Sequence, residues 1–419
     1  MPTVAPRIAP PSRGWNPLGF DLRPGEGATA WLLFFGFFLI VACQYVTKTL
    51  RQSTYIDSLG AINLPWAYLL VALCSYPLLR LYLRYAHRVE RHRLFAVTCF
   101  VVAGTMVLFW WLFRYPWPWV PVVFYVWVTI TFGATVSQFW SFASHVFDAR
   151  QARRLFGLVT AGGLLGGIAG GQMARLASDL AGPRSALLVA AVILIGVVLV
   201  SGMVQRRGGR DEASRAGATE RPEATRGVVS MLRRSRHLQL VSVLLVLSVV
   251  VAQIIDLQFN WAVERSTAGL GDRTTFFGNF FSVAGVAALV FQILFTARIH
   301  RMLGVGFALR ALPIMLGLGT AGLLLVSGML PELLVVTVLA LKMSDFGLRH
   351  SLEASTRELL FVPLPYDMRL RAKAILDVFI RRSAKGLAAL LLLPVAFGLL
   401  TPVGAGWLTL GLVAVWLAL

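Results

Sequence analysis

Acidic residues are scarce in this 419-residue chain: 19 Asp and Glu stand against 39 Lys and Arg, a formal net charge of +20. Charge of either sign is thin at 14% of residues, while 57% are hydrophobic and the mean hydropathy is +0.73. No water-soluble domain of this size hides that much apolar surface, so the chain reads as a polytopic membrane protein lying in a lipid bilayer. In a soluble chain such a basic excess would point to nucleic acid. Here Lys and Arg have a better account, because they collect in the loops that stay in the cytoplasm, and no nucleic-acid partner is expected. Only three cysteines occur, Cys43, Cys74 and Cys99, each inside an apolar run and none in a CxxC pair. That indicates neither a disulfide framework nor a metal site and leaves them as packing residues. HExxH, GxSxG and an acidic metal cluster are missing and the six His are scattered, so no enzyme, no metal and no cofactor is expected.

Apolar runs of spanning length are what the chain has instead. At about 20 residues per crossing, the expected fold class is an all-α polytopic membrane protein of about twelve transmembrane helices. They centre near 28–48, 63–83, 94–113, 119–145, 155–178, 185–204, 238–262, 275–296, 306–328, 332–353, 371–398 and 404–419. Residues 1–27, rich in Pro and Gly with scattered Arg, read as an N-terminal arm. They are not read as a signal peptide, since the first apolar run is long enough to span and no small-x-small cleavage site follows it. The long polar insertion at 205–236 separates a six-helix bundle, 28–204, from a second one, 237–419. Basic residues crowd the N-terminal arm, the linker and every second loop, which puts both termini in the cytoplasm. Six helices, a basic central loop and six more is the layout of major facilitator transporters, whose halves rock about a site near the bilayer midplane.

Ionisable residues inside a span cost several kcal/mol each, so they face a cavity, a partner or a solute. The densest set lies between Lys342 and Gly386. If the segment before Pro363 is one helix, Asp345, Arg349, Glu353 and Arg357 alternate in sign on one face, with Lys342 one turn above. Lys373, Asp377, Arg381 and Lys385 repeat the pattern on the next helix. Arg349, Glu353, Arg357 and Lys373, close to helix ends, divide evenly between salt-bridged locks and functional groups. Lys342, Asp345, Arg381 and Lys385 lie deeper and are read as cavity residues. At the end of the first span, Lys48 and Arg51 share a face at an outer boundary where the positive-inside rule disfavours bases; they either snorkel or bind an anion. Asp256 sits midway along the seventh span and needs a basic partner, as a static pair or as a gating carboxylate. Gly162, Gly163, Gly166, Gly167, Gly170 and Gly171 recur at four-residue spacing in the fifth span, the pattern of close helix packing rather than of a nucleotide loop.

Four segments carry a family resemblance: YVTKTLRQSTYIDSLGAINLPWAYLL, FWSFASHVFDARQARRLFGLVTAGGLLGGIAGG, IIDLQFNWAVERSTAGLGDRTTFFGNFFS and RHSLEASTRELLFVPLPYDMRLRAKAILDVFIRRSAKG. In this order they resemble the ATP/ADP translocase (nucleotide transporter) family of plastids and intracellular bacteria, most closely its shorter bacterial relatives, a branch of the major facilitator superfamily. The resemblance implies nucleotide transport, of the ATP:ADP antiporter kind, through a bacterial inner membrane. By motif position Arg51 matches a base of the first span, Asp256 an acid of the seventh and Lys385 a base of the eleventh that the family is thought to need. The chain departs from the pattern at Lys48-Thr-Leu-Arg51-Gln52, where the family is more highly charged, and at Gln151, where an acid is expected.

The residues and the resemblance meet on an anionic small-molecule solute, with a nucleotide as the first candidate and a monomer as the expected state. Lys48, Arg51, Arg381 and Lys385 are the candidate substrate-binding residues; Asp256, Lys342, Asp345 and Asp377 are the candidate gating or coupling residues. The alternative is a non-transporting membrane sensor or assembly protein that retains the fold, which an occluded cavity with every charge paired would favour.

Overall fold

The computed structural model describes residues 26–86, 91–147, 149–208, 235–361, 376 and 380–419. These are helical almost throughout, with no β-strand among them. Twelve rods follow one another: α1 Gly27–Leu59, α2 Leu64–Ala86, α3 Arg91–Leu112, α4 Trp119–Val146, α5 Ala149–Ala181, α6 Ser185–Gly208, α7 Arg236–Ser266, α8 Leu270–Phe291, α9 Gly304–Met329, α10 Leu334–Leu348, α11 Arg381–Ala396 and α12 Ala405–Ala418. Among the described residues nine helices, α1 to α9, are long and apolar enough to cross a membrane. The other three fall short for visible reasons. A π-helical turn, Arg349–Glu353, interrupts α10 before it resumes as Ala354–Leu360, the α-helical part of α11 among the described residues is the 16-residue stretch Arg381–Ala396, and α12 has 14 residues.

Helix α1 runs well past the apolar stretch that announces it. Lys48 and Arg51 therefore stand two to three turns inside its end at Leu59, and the expected outer-boundary position is corrected. The helix continues because its polar residues are satisfied internally. The hydroxyls of Thr47, Ser53 and Thr54 donate to the carbonyls of Cys43, Thr49 and Leu50 at 2.8–2.9 Å, and Thr47, Thr49, Gln52, Ser53 and Thr54 are all buried.

The glycine stripe of α5 sets the distance to α1. A Cβ at Gly162, Gly166 or Gly170 would land on the main-chain carbonyl oxygens of Phe34, Phe38 and Ala42, which are themselves four residues apart. Only glycine lets the two backbones approach this closely. Gly171, on the adjoining face, meets Gly278 and Ser282 of α8 in the same way, and Ser282 Oγ donates to the Ile168 carbonyl at 2.8 Å.

We call the side on which α6 ends and α7 begins the linker face. The hydrogen bonds and ion pairs between described residues of α1–α6 and of α7–α12 gather toward the opposite face. Arg273 reaches Asp57 at 2.6 Å, Arg175 donates to Asn279 and Thr275 to Asp179. Gly60 closes α1 with φ of 79°, a conformation that excludes a side chain, and presents the Ala61 N–H to the Glu264 carboxylate at 2.9 Å. Between described residues no such bond joins the two sets on the linker face. One apolar core unites α1 and α3–α6; a second combines α7–α12 with parts of α1, α2 and α4.

Candidate functional site

The space left between the helices, on the linker side of those cross-connections, is a cavity of about 630 Å3. Helix α1 presents Phe37, Val41, Gln44, Lys48 and Arg51 to it at alternating spacings of four and three, a single helical face. Five bases and two acids line it: Lys48, Arg51, Lys342, Arg349 and Lys385 against Asp256 and Asp345.

The two acids are both taken. Asp256 on α7 holds Lys342 Nζ of α10 at 3.0 Å and accepts from Tyr68 Oη at 3.1 Å and from Asn260 Nδ2 at 3.3 Å. Lys342 also touches Asp345 at 3.4 Å, one turn along its own helix. Asp345 in turn accepts from Arg349 Nη2 at 2.6 Å and Nε at 2.9 Å, and Arg349 Nη1 donates to Ser248 Oγ at 2.5 Å. The result is an alternating chain, Asp256–Lys342–Asp345–Arg349, whose inner members Lys342 and Asp345 are only 6% and 2% exposed. Such a chain is self-neutral. Charge pairing of this kind satisfies groups that would otherwise be very costly away from water.

The remaining three cations form no ion pair with a carboxylate among the described residues. Lys48 lies with its Nζ 3.9 Å above the ring of Phe281 from α8 and 5.3 Å from that of Tyr45, and makes no hydrogen bond or ion pair among the described residues. Arg51 stacks its guanidinium 4.4 Å above Tyr125 and donates to Thr129 Oγ1 at 2.5 Å, while its Nε is buried without a partner. Lys385 on α11 lines the cavity exposed, again without a partner among the described residues. Aromatic faces and hydroxyls position a cation without cancelling its charge. The cavity therefore carries a net positive field directed at whatever enters it.

Of the residues singled out in the sequence, Lys48, Arg51, Lys385, Asp256, Lys342 and Asp345 meet in this one cavity. Arg381, one turn before Lys385, is outside its lining. Asp377 lies outside the described residues, as does Lys373. Arg349, assigned to the helix end, lines the cavity as well as pairing with Asp345. The expected four-residue stripe on a single α-helix is corrected: Asp345–Arg349 and Glu353–Arg357 pair as its spacing requires, but the π turn Arg349–Glu353 falls between them and Arg349 makes no ion pair with Glu353. An i→i+5 turn rotates everything after it around the helix axis. Sequence reasoning missed the aromatic and hydroxyl partners Tyr68, Tyr125, Thr129, Phe281 and Ser248. An aromatic or hydroxyl side chain in an apolar helix carries no mark of facing a cation, so only Tyr68 and Phe281, inside the quoted family segments, had any signal.

The family described as TLC ATP/ADP transporter matches residues 66–418. Among individual proteins, the chain is 23% identical over 339 residues to ADP,ATP carrier protein 1 of Chlamydia pneumoniae, covering 71% of this chain and 66% of that one. It is 21% identical over 300 residues to ADP,ATP carrier protein 3 of Rickettsia typhi, covering 60% and 58%. The match thus spans less than two thirds of either carrier. Among solved structures, the nucleoside transporter NupG is similar in fold with a TM-score of 0.65 at 11% identity, covering 93% of this chain and 96% of that one. A bacterial homologue of the iron transporter ferroportin in an inward-facing state gives 0.63 at 12% identity, covering 94% and 99%. The chain shares the fold of these solved structures, with six of the described helices before residues 209–234 and six after.

Proposed function

The chain belongs to the TLC ATP/ADP transporter family, and from that premise we propose that it is a secondary transporter that carries an anionic, nucleotide-type phosphorylated solute by alternating access, with ATP/ADP-type exchange as its mode. One observation carries the proposal: Lys48, Arg51 and Lys385 converge on one cavity and have no carboxylate partner there. At an effective dielectric near 20, each cation about 4 Å from a phosphate contributes on the order of 4 kcal/mol before desolvation. The cavity volume of about 630 Å3 suits a small-molecule ligand. The names of the Chlamydia and Rickettsia relatives point the same way.

In this reading Lys48, Arg51 and Lys385 bind the solute, and Arg381 is assigned no contact. Asp256, Lys342 and Asp345 form the gate: an arriving anion competes with Asp256 for the Lys342 ammonium and so loosens the pair that ties α10 to α7, and through the Tyr68–Asp256 bond to α2. Residues 28–204 and 237–419 are the two rocking bundles, joined by the linker 205–236 and preceded by the arm 1–27. The protein sits as a monomer in the bacterial inner membrane with both termini cytoplasmic, and it carries rather than transforms its solute. A sensor that kept the fold would have every cavity charge paired within the protein, which Lys48 and Lys385, without an ion-pair partner among the described residues, disfavour.

The deciding experiment is exchange in proteoliposomes. Purified protein, reconstituted with ATP inside, is expected to take up labelled ADP and to lose that uptake when the lumen is empty. No uptake, together with no binding of ATP or ADP in detergent, overturns the proposal. Orientation is tested apart from it: reporters near Gly217 and at the C-terminus should report cytoplasm and one near Gly271 the far side.

A further inference from the structure

Among the neutral polar side chains of the cavity that have no role in the transport scheme above are Gln44 on α1 and His350 in the π turn that follows α10. Helices α1 and α10 run in opposite directions, so Gln44 is displaced toward the linker face from Lys48, and His350 from Lys342, with the paired Arg349 beside it. Gln44 is four residues, about 6 Å along the axis, from Lys48, and His350 is eight residues, about 12 Å, from Lys342.

The His350 ring is fixed in place. It stacks on Phe346 with centroids 4.2 Å apart and planes 26° apart, and its Nδ1 is 2.9 Å from the Phe346 carbonyl oxygen. A carbonyl oxygen only accepts, so Nδ1 carries the hydrogen, and Nε2 of the neutral ring is left as a bare acceptor. Nε2 has no partner among the described residues, and neither does the Gln44 amide. His350 also belongs to the π turn Arg349–Glu353, the kind of helix irregularity that gathers at functional sites.

The cavity cations without a carboxylate partner among the described residues offer donors alone: the ammoniums of Lys48 and Lys385 and the guanidinium of Arg51, which spends one N–H on Thr129. These suit phosphate oxygens. A bare imidazole nitrogen does not, because it would set one acceptor against another. Beside its donors the cavity thus offers one pure acceptor and one amide that both donates and accepts.

We infer that His350 and Gln44 are specificity-determining residues that read an uncharged, amino-bearing heterocycle on the solute, His350 Nε2 accepting from the exocyclic amino group, while Lys48, Arg51 and Lys385 hold the phosphates. The inference rests on the proposed function and adds to it the part of the solute that is discriminated and the side chains that discriminate. A site that hydrogen-bonds a particular group rejects the analogue lacking it far more strongly than an apolar pocket rejects a missing methylene, because its own polar atoms are left unpaired.

Three probes test it on the purified full-length protein: ATP, ITP, which replaces the exocyclic amine by an oxo group, and inorganic tripolyphosphate, which has no base. Wild type should bind ATP roughly tenfold or more tighter than ITP. His350→Phe keeps the stack on Phe346 and removes the acceptor. In that variant the ATP to ITP ratio should fall to about twofold or less while tripolyphosphate affinity stays as in wild type. Should His350→Phe fail to fold, Gln44→Ala reads the same ratio and is expected to reduce it with tripolyphosphate unaffected. Equal binding of ATP and ITP by wild type, a ratio untouched by substitution, or equal losses for ATP and tripolyphosphate each overturn the inference while leaving the transporter reading standing. Failure of wild type to bind any of the three sinks both.

Discussion

Two sets of charges share the cavity and are built on opposite plans. In the chain Asp256–Lys342–Asp345–Arg349, both carboxylates are engaged by bases of α10 and its π turn, at 2.6–3.4 Å, Asp256 by two neutral donors as well, and the inner two members are almost wholly buried. In the other set, Lys48 and Arg51 are held by rings and a hydroxyl, and none of Lys48, Arg51 and Lys385 has a carboxylate partner among the described residues. The first plan is what a protein does to hold buried charge at rest. The second keeps charge available, and the contacts that hold it, worth about 0.5–2 kcal/mol each, are weak enough for a better anionic partner to displace. The difference in pairing, more than the number of bases, is what marks the cavity as a place for a solute.

Removing the centre of the paired chain is the harshest way to break this comparison. Asp345→Asn keeps the shape and leaves Lys342 and Arg349 facing one another without the charge that balances both. Losing one member of a buried ion pair costs about 3–5 kcal/mol, so thermal stability in detergent should fall steeply, before any question of affinity arises. A variant as stable as wild type that no longer binds nucleotide would instead make Asp345 part of the binding site and erase the distinction between the two sets.

Lys385→Ala tests the other side. No protein group depends on this ammonium among the described residues, so stability should be unchanged. Loss of one charge-assisted contact to phosphate is worth about 1.5–3 kcal/mol, roughly ten- to a hundredfold in affinity. Lys48→Ala should behave alike. If either variant loses stability in proportion to affinity, its cation has a structural partner and the second plan is wrong.

How far this was legible in the sequence follows from the kind of signal each feature leaves. Long apolar runs mark helices directly, and spacings of three and four mark the contacts within α10, Lys342 with Asp345 and Asp345 with Arg349, because helix geometry alone makes them. The same arithmetic brings Lys48 and Arg51 to one face. What spacing cannot give is a partner on another helix: that Asp256 finds Lys342 while Lys48 finds only Phe281 depends on how helices pack. The extent of α1 was misread for a related reason. Polarity at Thr47–Thr54 looks like the end of a span, yet those hydroxyls bond back to the helix and turn inward. The π turn at Arg349 leaves no periodic mark at all.

Asp256 joins the paired chain to the first six helices through Tyr68, so Asp256→Asn sharpens the comparison rather than breaking it. If the carboxylate competes with the solute for Lys342, its removal leaves nucleotide affinity unchanged or tighter and slows exchange by about tenfold, near 1.4 kcal/mol in the barrier, because the empty carrier no longer re-forms its closed pair. A static pair makes a different forecast, a loss of about 3–5 kcal/mol in stability. Affinity, exchange rate and melting temperature measured on the same preparation separate the two.

The smallest effect belongs to a pair that resembles the buried chain on paper. Glu353 and Arg357 are spaced like Asp345 and Arg349, i to i+4, but start at the last residue of the π turn, 3.4 Å apart, with side chains 15% and 26% exposed. Their separation is longer than the 2.6 Å of the buried pair, and neither lines the cavity. Partly solvated helix pairs of this spacing contribute about 0.3–0.5 kcal/mol. Arg357→Ala should therefore shift the melting temperature only slightly and leave nucleotide affinity as it was. Since the local spacing is the same in the two pairs, the contrast between Arg357→Ala and Asp345→Asn isolates burial and cavity position from helix periodicity. A drop in affinity for Arg357→Ala comparable to that of Lys385→Ala would extend the binding surface past the π turn and require the solute to reach the linker-side end of α10.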